Sequence, residues 1–134
     1  MARYADRTKV PVSQSRAELE QVLARYGADA FGWGWEGSRA VVSFRAHDRF
    51  IRFTVEIPES AQQERQRWRA LILVVKAKLE SVESGIESFE QAFLANVVLP
   101  SNETVGDWLA PQIEQAYEDG RMPTSLLALP PGGR

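Results

Sequence analysis

Residues 39–57, RAVVSFRAHDRFIRFTVEI, alternate apolar and polar side chains over two runs parted by the turn-forming AHD. A period of two marks strands with one buried face, and a slip of one residue would turn each apolar set to water. Over Arg39 to Arg45 the inward set is Ala40, Val42 and Phe44, and the outward set is Val41, Ser43 and Arg45. Over Arg49 to Ile57, Ile51, Phe53, Val55 and Ile57 face in, and Phe50, Arg52, Thr54 and Glu56 face out. A preceding run, Ala30 to Trp35, joins through EGS, so the three strands form an antiparallel meander with one apolar and one mixed, basic face.

The first of these strands holds Phe31, Trp33 and Trp35 on one side and Gly32 and Gly34 on the other. Burial of such rings is favourable, which makes them one wall of the core. The other reading is an exposed platform on which bases stack. In the first case the two glycines lie on the outer face beside Arg45 and Arg52, where a partner's backbone or a phosphate has close access.

Helix signals flank the meander. Ser15 with Glu18 reads as a capping box and Gly27 as a C′ residue, which predicts a helix over Arg16 to Tyr26 with Leu19, Val22, Leu23 and Tyr26 buried. Ser60 with Gln63 opens a long helix over Ala61 to Ser84. Its stripe of Trp68, Leu71, Ile72, Val75, Leu79 and Val82 is opposed by a second one, Ala70, Leu73, Val74 and Ala77. A helix apolar on two faces is sandwiched between the sheet and the C-terminal helices, the preferred reading, or between two subunits. IESFEQAFLANVVL predicts a short helix, and Thr104 to a Gly120 cap another, kinked or restarted at Pro111.

The expected fold is therefore α+β: a helix, a three-stranded antiparallel meander, a long central helix, then C-terminal helices. At 134 residues a single domain is expected. It divides into an extended N-terminal arm (1–14), a helix–sheet–helix core (15–84), acidic C-terminal helices (85–120) and a tail (121–134). There is no cysteine, which excludes disulfide and thiol chemistry. With no apolar segment of membrane-spanning length, the expectation is a protein of the cytoplasm that does not enter a membrane.

Charge is segregated. Met1 to Lys78 carry 14 Lys and Arg against 9 Asp and Glu, whereas Leu79 to Asp119 carry 9 acids and no base. Such halves suit an anionic partner for the basic part or a cationic partner for the acidic part. Arg39, Arg45, Arg52, Arg65, Arg67 and Arg69 are the candidate nucleic-acid contacts, and Glu83, Glu87 and Glu90 the candidate contacts to a protein.

No residue pattern supports catalysis, a cofactor or a metal. The helix, three strands, helix order is similar to PD-(D/E)xK nucleases, yet the second strand has no acid and Glu56 is followed by Ile57 and Pro58, which leaves no Glu-x-Lys to hold a metal. The double-stranded RNA-binding domain shares the order too, but the EGS turn is too short for its groove-reading loop. The only histidine, His47, sits in a turn beside Asp48 with no nucleophile at a diagnostic spacing.

A broader resemblance covers nearly the whole chain. VPVSQSRAELEQVLARYGADAFGWGW, RQRWRALILVVKAKLESVESGIESFEQAFLANVVLP and TVGDWLAPQIEQAYEDGRMP resemble a family of small bacteriophage- and prophage-encoded proteins that has no assigned catalytic residues. The resemblance implies an accessory role inside a bacterial cell. Two functions follow as expectations. The first is a non-enzymatic protein that binds a host or phage protein through its acidic helices, for instance as an inhibitor of a defence factor. The alternative is a nucleic-acid-binding factor in phage DNA metabolism that uses the basic sheet and helix face. A homodimer through the 61–84 helix is compatible with either.

Overall fold

The computed structural model describes residues 11–122. The chain has an α+β fold with elements α1 (Val12–Arg25), β1 (Ala30–Glu36), β2 (Arg39–Ala46), β3 (Arg49–Glu56), α2 (Ala61–Glu83), α3 (Phe89–Phe93) and α4 (Val105–Asp119), with a 3₁₀ turn, Leu94–Asn96, between the last two helices. The sheet is antiparallel in the order β1-β2-β3. Two-residue turns close both hairpins, and positive φ angles at Gly37 (63°), His47 (54°) and Asp48 (60°) match the right-handed twist of the strands.

The register places Phe31 opposite Phe44, Trp33 opposite Val42 and Val42 opposite Phe53, so the alternation read from the sequence sets the inner face. That face meets α1 and α2 in one core of buried side chains that includes Leu19, Leu23, Val42, Ile51, Trp68, Ile72 and Phe93. Phe93 packs edge-on against Phe44 (5.7 Å between ring centres) and Phe53 (6.3 Å). It thereby ties the acidic C-terminal segment to the sheet.

Ser60 caps α2 by accepting from the Gln63 N–H. Gly120 caps α4 in the left-handed conformation. The start of α1 differs from expectation. The helix begins at Val12 with Pro11 as its cap, and Ser15 is fully buried inside the first turns, where its hydroxyl has no partner among the described residues. The physical reason is Val12, which packs against the core: a helix opened at Ser15 would leave that apolar contact outside. The proposed arm therefore ends before residue 12, and residues 1–10, like the tail from 123 on, lie outside the described residues.

The expected helix after Gly85 is also shorter. A capping box between Ser88 and Gln91 opens α3, which stops at Phe93. Val97 and Val98 are extended and bridge Ile51 and Thr104, with the Val98 N–H donating to the Phe50 carbonyl (2.8 Å) and Asn96 Nδ2 to the Arg52 carbonyl (3.0 Å). This segment covers the outer edge of β3 from Phe50 to Arg52. The last helix runs through Pro111 as one element and buries no residue fully.

The second apolar stripe of α2 is not sandwiched by the C-terminal helices. Val74 is 46% exposed and Ala77 is exposed, while Ala70 and Leu73 are half-buried. Instead α3 sends Phe89, Ala92 and Phe93 into the main core, and α4 leans on the 3₁₀ turn. The described residues thus form two layers, with helices on one face of the sheet and none of these residues stacked as a layer over the other. Among the described residues no helix is long and apolar enough to cross a membrane.

Candidate functional site

The opening aromatic strand is neither fully buried nor a free platform. Phe31 is half-buried, whereas Trp33 and Trp35 on this outermost strand remain 43% and 51% exposed. The Trp33 ring stands edge-on to Trp68 at 6.0 Å, and the Arg16 guanidinium lies 3.7 Å from its centre. A cation stacked on that ring occupies the place a base would take.

On the opposite face, Gly32 and Gly34 supply no side chain, and a Cβ built on either meets nothing within 4 Å. Two cross-strand rows continue from them, Gly32–Ser43–Arg52 and Gly34–Val41–Thr54. These rows floor an open groove of about 870 Å³. One wall comes from the C-terminal part: Arg52 donates to Asn102 Oδ1 (3.2 Å) and to the Asn102 carbonyl (2.7 Å), and Asp107 stands beside it at the start of α4. At the other end Arg39 pairs with Glu36 (3.1 Å) and Ser38 donates to Glu56 (2.6 Å). The ionic lining is Arg39 and Arg52 against Glu36, Glu56 and Asp107. Donors and acceptors of both signs therefore alternate around a flat floor.

The six candidate arginines do not share a surface. Arg39, Arg45 and Arg52 lie on the outer face of the sheet, and Arg65, Arg67 and Arg69 on α2 in the other layer. Each is also engaged within the chain. Arg45 makes a two-pronged pair with Asp29 (2.8 and 2.7 Å), which holds that carboxyl below its ordinary range. Arg65 donates to Gln62 and Arg67 to the Glu56 carbonyl. Arg69 and Lys76 converge on Glu18 at 2.6 and 2.7 Å. Their hydrogen bonds hold the Glu18 carboxyl down to about 2.

The three candidate acids gather where α2 turns into α3 but point to different neighbours. Glu83 is exposed and lies by Tyr26, whose hydroxyl is pushed up first by desolvation and then by that charge. Glu87 is half-buried and accepts from Ser81 Oγ (2.7 Å), and Glu90 pairs with Arg49 (2.8 Å). His47 stacks on Phe89 at 4.5 Å. No group of three or more metal-ligating side chains exists among the described residues.

Sequence reasoning put Gly32, Gly34, Arg45 and Arg52 together on the outer face but missed Asn102 and Asp107. The only local signal is the turn composition of PSNE, where Asn102 adopts a positive φ of 76°; nothing in it reports a contact fifty positions away. Compared with protein-family models, with curated proteins and with solved structures, the chain finds no match.

Proposed function

We propose that the protein is a non-enzymatic accessory factor that acts by binding another protein, across the glycine-floored outer face of its sheet. The observation that supports this most is the character of that groove: open, flat, and lined by neighbouring groups of both charges. A polypeptide surface, which presents donors and acceptors together, suits such a lining. A polyanion does not, because each added phosphate would meet Glu36, Glu56 or Asp107 as well as an arginine. The placement of Arg65, Arg67 and Arg69 away from the sheet face further weakens the nucleic-acid alternative. In the phage setting implied by the sequence resemblance, the partner is a host or phage protein in the bacterial cytoplasm, such as a defence factor held inactive.

The three candidate acids point to different neighbours, Glu83 to Tyr26, Glu87 to Ser81 and Glu90 to Arg49, and so form a less continuous contact than the groove. The test is affinity capture from bacterial lysate with and without nuclease, run in parallel for the wild type, for Gly34→Val, and for Glu83, Glu87 and Glu90 all changed to lysine. Capture that survives nuclease and the lysine changes but fails with Gly34→Val is expected. Capture that nuclease abolishes would contradict protein binding.

A further inference from the structure

The two edges of the sheet are treated differently. Beyond β3, Val97 and Val98 cover the strand around Phe50 to Arg52. Beyond β1, no described residue pairs with the strand. The direction of its unpaired groups follows from the register. The Ile57 N–H donates to the Ser38 carbonyl, which makes 38/57, 40/55 and 42/53 the bonded pairs between β2 and β3. Arg39, Val41 and Ser43 therefore direct their backbone groups to β1, where Glu36, Gly34 and Gly32 receive them. The N–H and C=O of Phe31, Trp33 and Trp35 are left pointing outward along the free edge.

Sheet edges in monomers are blunted by lysine, proline, a bulge or a cover, because an open row of donors and acceptors templates another strand. Residues 30–35, AFGWGW, contain none of these residues, and the register shows no bulge. The strand is also self-complementary. Two copies placed antiparallel about Trp33 set Trp33 against Trp33 and Phe31 against Trp35. All three are residues with outward backbone groups, so each pair exchanges both hydrogen bonds. The rings meet on one face, where cross-strand aromatic pairs are favourable, and the glycines meet on the other. At the ends, Glu36 of one copy comes opposite Ala30 of the other. Glu36 is already paired with Arg39, and Arg45 in the Ala30 row with Asp29, so the ends of the seam meet as neutralised pairs.

We propose that β1 pairs antiparallel with β1 of a second copy of this chain. The two sheets become one of six strands, the exposed parts of Trp33 and Trp35 are buried at the seam, and the two glycine floors join into one continuous groove. This does not depend on what the groove binds.

Sedimentation of the full chain from micromolar to sub-millimolar concentration is the test, combined with amide hydrogen exchange. The mass is expected to rise from 15.1 kDa towards twice that value, and the Phe31, Trp33 and Trp35 amides to gain protection in step with it. Trp35→Lys, at the more exposed ring, weakens association by about tenfold or more by adding charge to the seam without touching Trp68. Trp33→Lys does so more strongly, since two lysines then face each other on the axis. A monomer at every concentration would overturn the proposal. So would those amides being protected while the protein is still monomeric, which would mean that the chain's own residues cover the edge. Association lost with Val74→Lys but kept with Trp35→Lys would place the seam on the outer stripe of α2, and overturn it equally.

Discussion

Ser15 shows how a local signal is overruled by packing. A serine three residues before a glutamate and ahead of an apolar periodicity has every mark of an N-cap, yet its side chain is fully buried without a partner among the described residues. The two placements have opposite consequences. An N-cap serine changed to alanine loses about 1 kcal/mol, whereas removal of a buried, unsatisfied hydroxyl is neutral or gains up to about 1 kcal/mol. Thermal melting of Ser15→Ala is expected to show an unchanged or raised midpoint. Glu18, in the next turn, is the complementary case, a carboxylate held by two cations at its part-buried position. Its carboxyl titrates near 4.5 when unfolded and at about 2 when folded. The resulting stability is therefore complete above pH 4.5 and is lost as pH falls towards 2. After screening it amounts to about 1–2 kcal/mol. Chemical denaturation of the wild type between pH 6 and pH 2.5 should show that decline, and Glu18→Gln should show a lower plateau and a shallower decline.

At the scale of elements, the fold divides into parts decided locally and parts decided at long range. The docking of α4 is of the second kind: it meets the rest of the chain chiefly at the 3₁₀ turn, and a Cβ on Gly106 would lie 3.0 Å from the Ala95 carbonyl oxygen. Gly106→Val should therefore separate α4 from the turn, raise amide exchange across Val105–Asp119 and leave the sheet's exchange unchanged, at a global loss of about 1–2 kcal/mol. The strands, their inward and outward sets, α2 with its Ser60 cap and the left-handed Gly27 and Gly120 were all legible in the sequence, because alternation and caps depend on neighbouring residues. The early start of α1, the closure of β3 by Val97 and Val98 and the exposure of the outer stripe of α2 were not. Each depends on which distant surface is left to cover, and periodicity carries no such information. The candidate site divides the same way: its glycine floor and Arg52 follow from strand alternation, and its Asn102 and Asp107 wall from the return of the chain.

For the molecule as a whole, the separation of charge along the sequence is bridged where Glu90 of the C-terminal segment meets Arg49 of the N-terminal one, and polar groups of the two parts meet at Arg52 and Asn102. What remains open is a mixed, shallow face. This is the basis on which we propose a protein partner rather than a polyanion, and a footprint of the bound complex tests the proposal most directly. Hydrogen exchange of the chain with its captured partner, compared with the chain alone, is expected to show new protection at Gly32–Gly34, Val41–Ser43 and Arg52–Thr54, with Glu83–Glu90 and Arg65–Arg69 unchanged. Protection confined to the acidic corner or to the α2 arginines, with the glycine floor still exchanging freely, would contradict it.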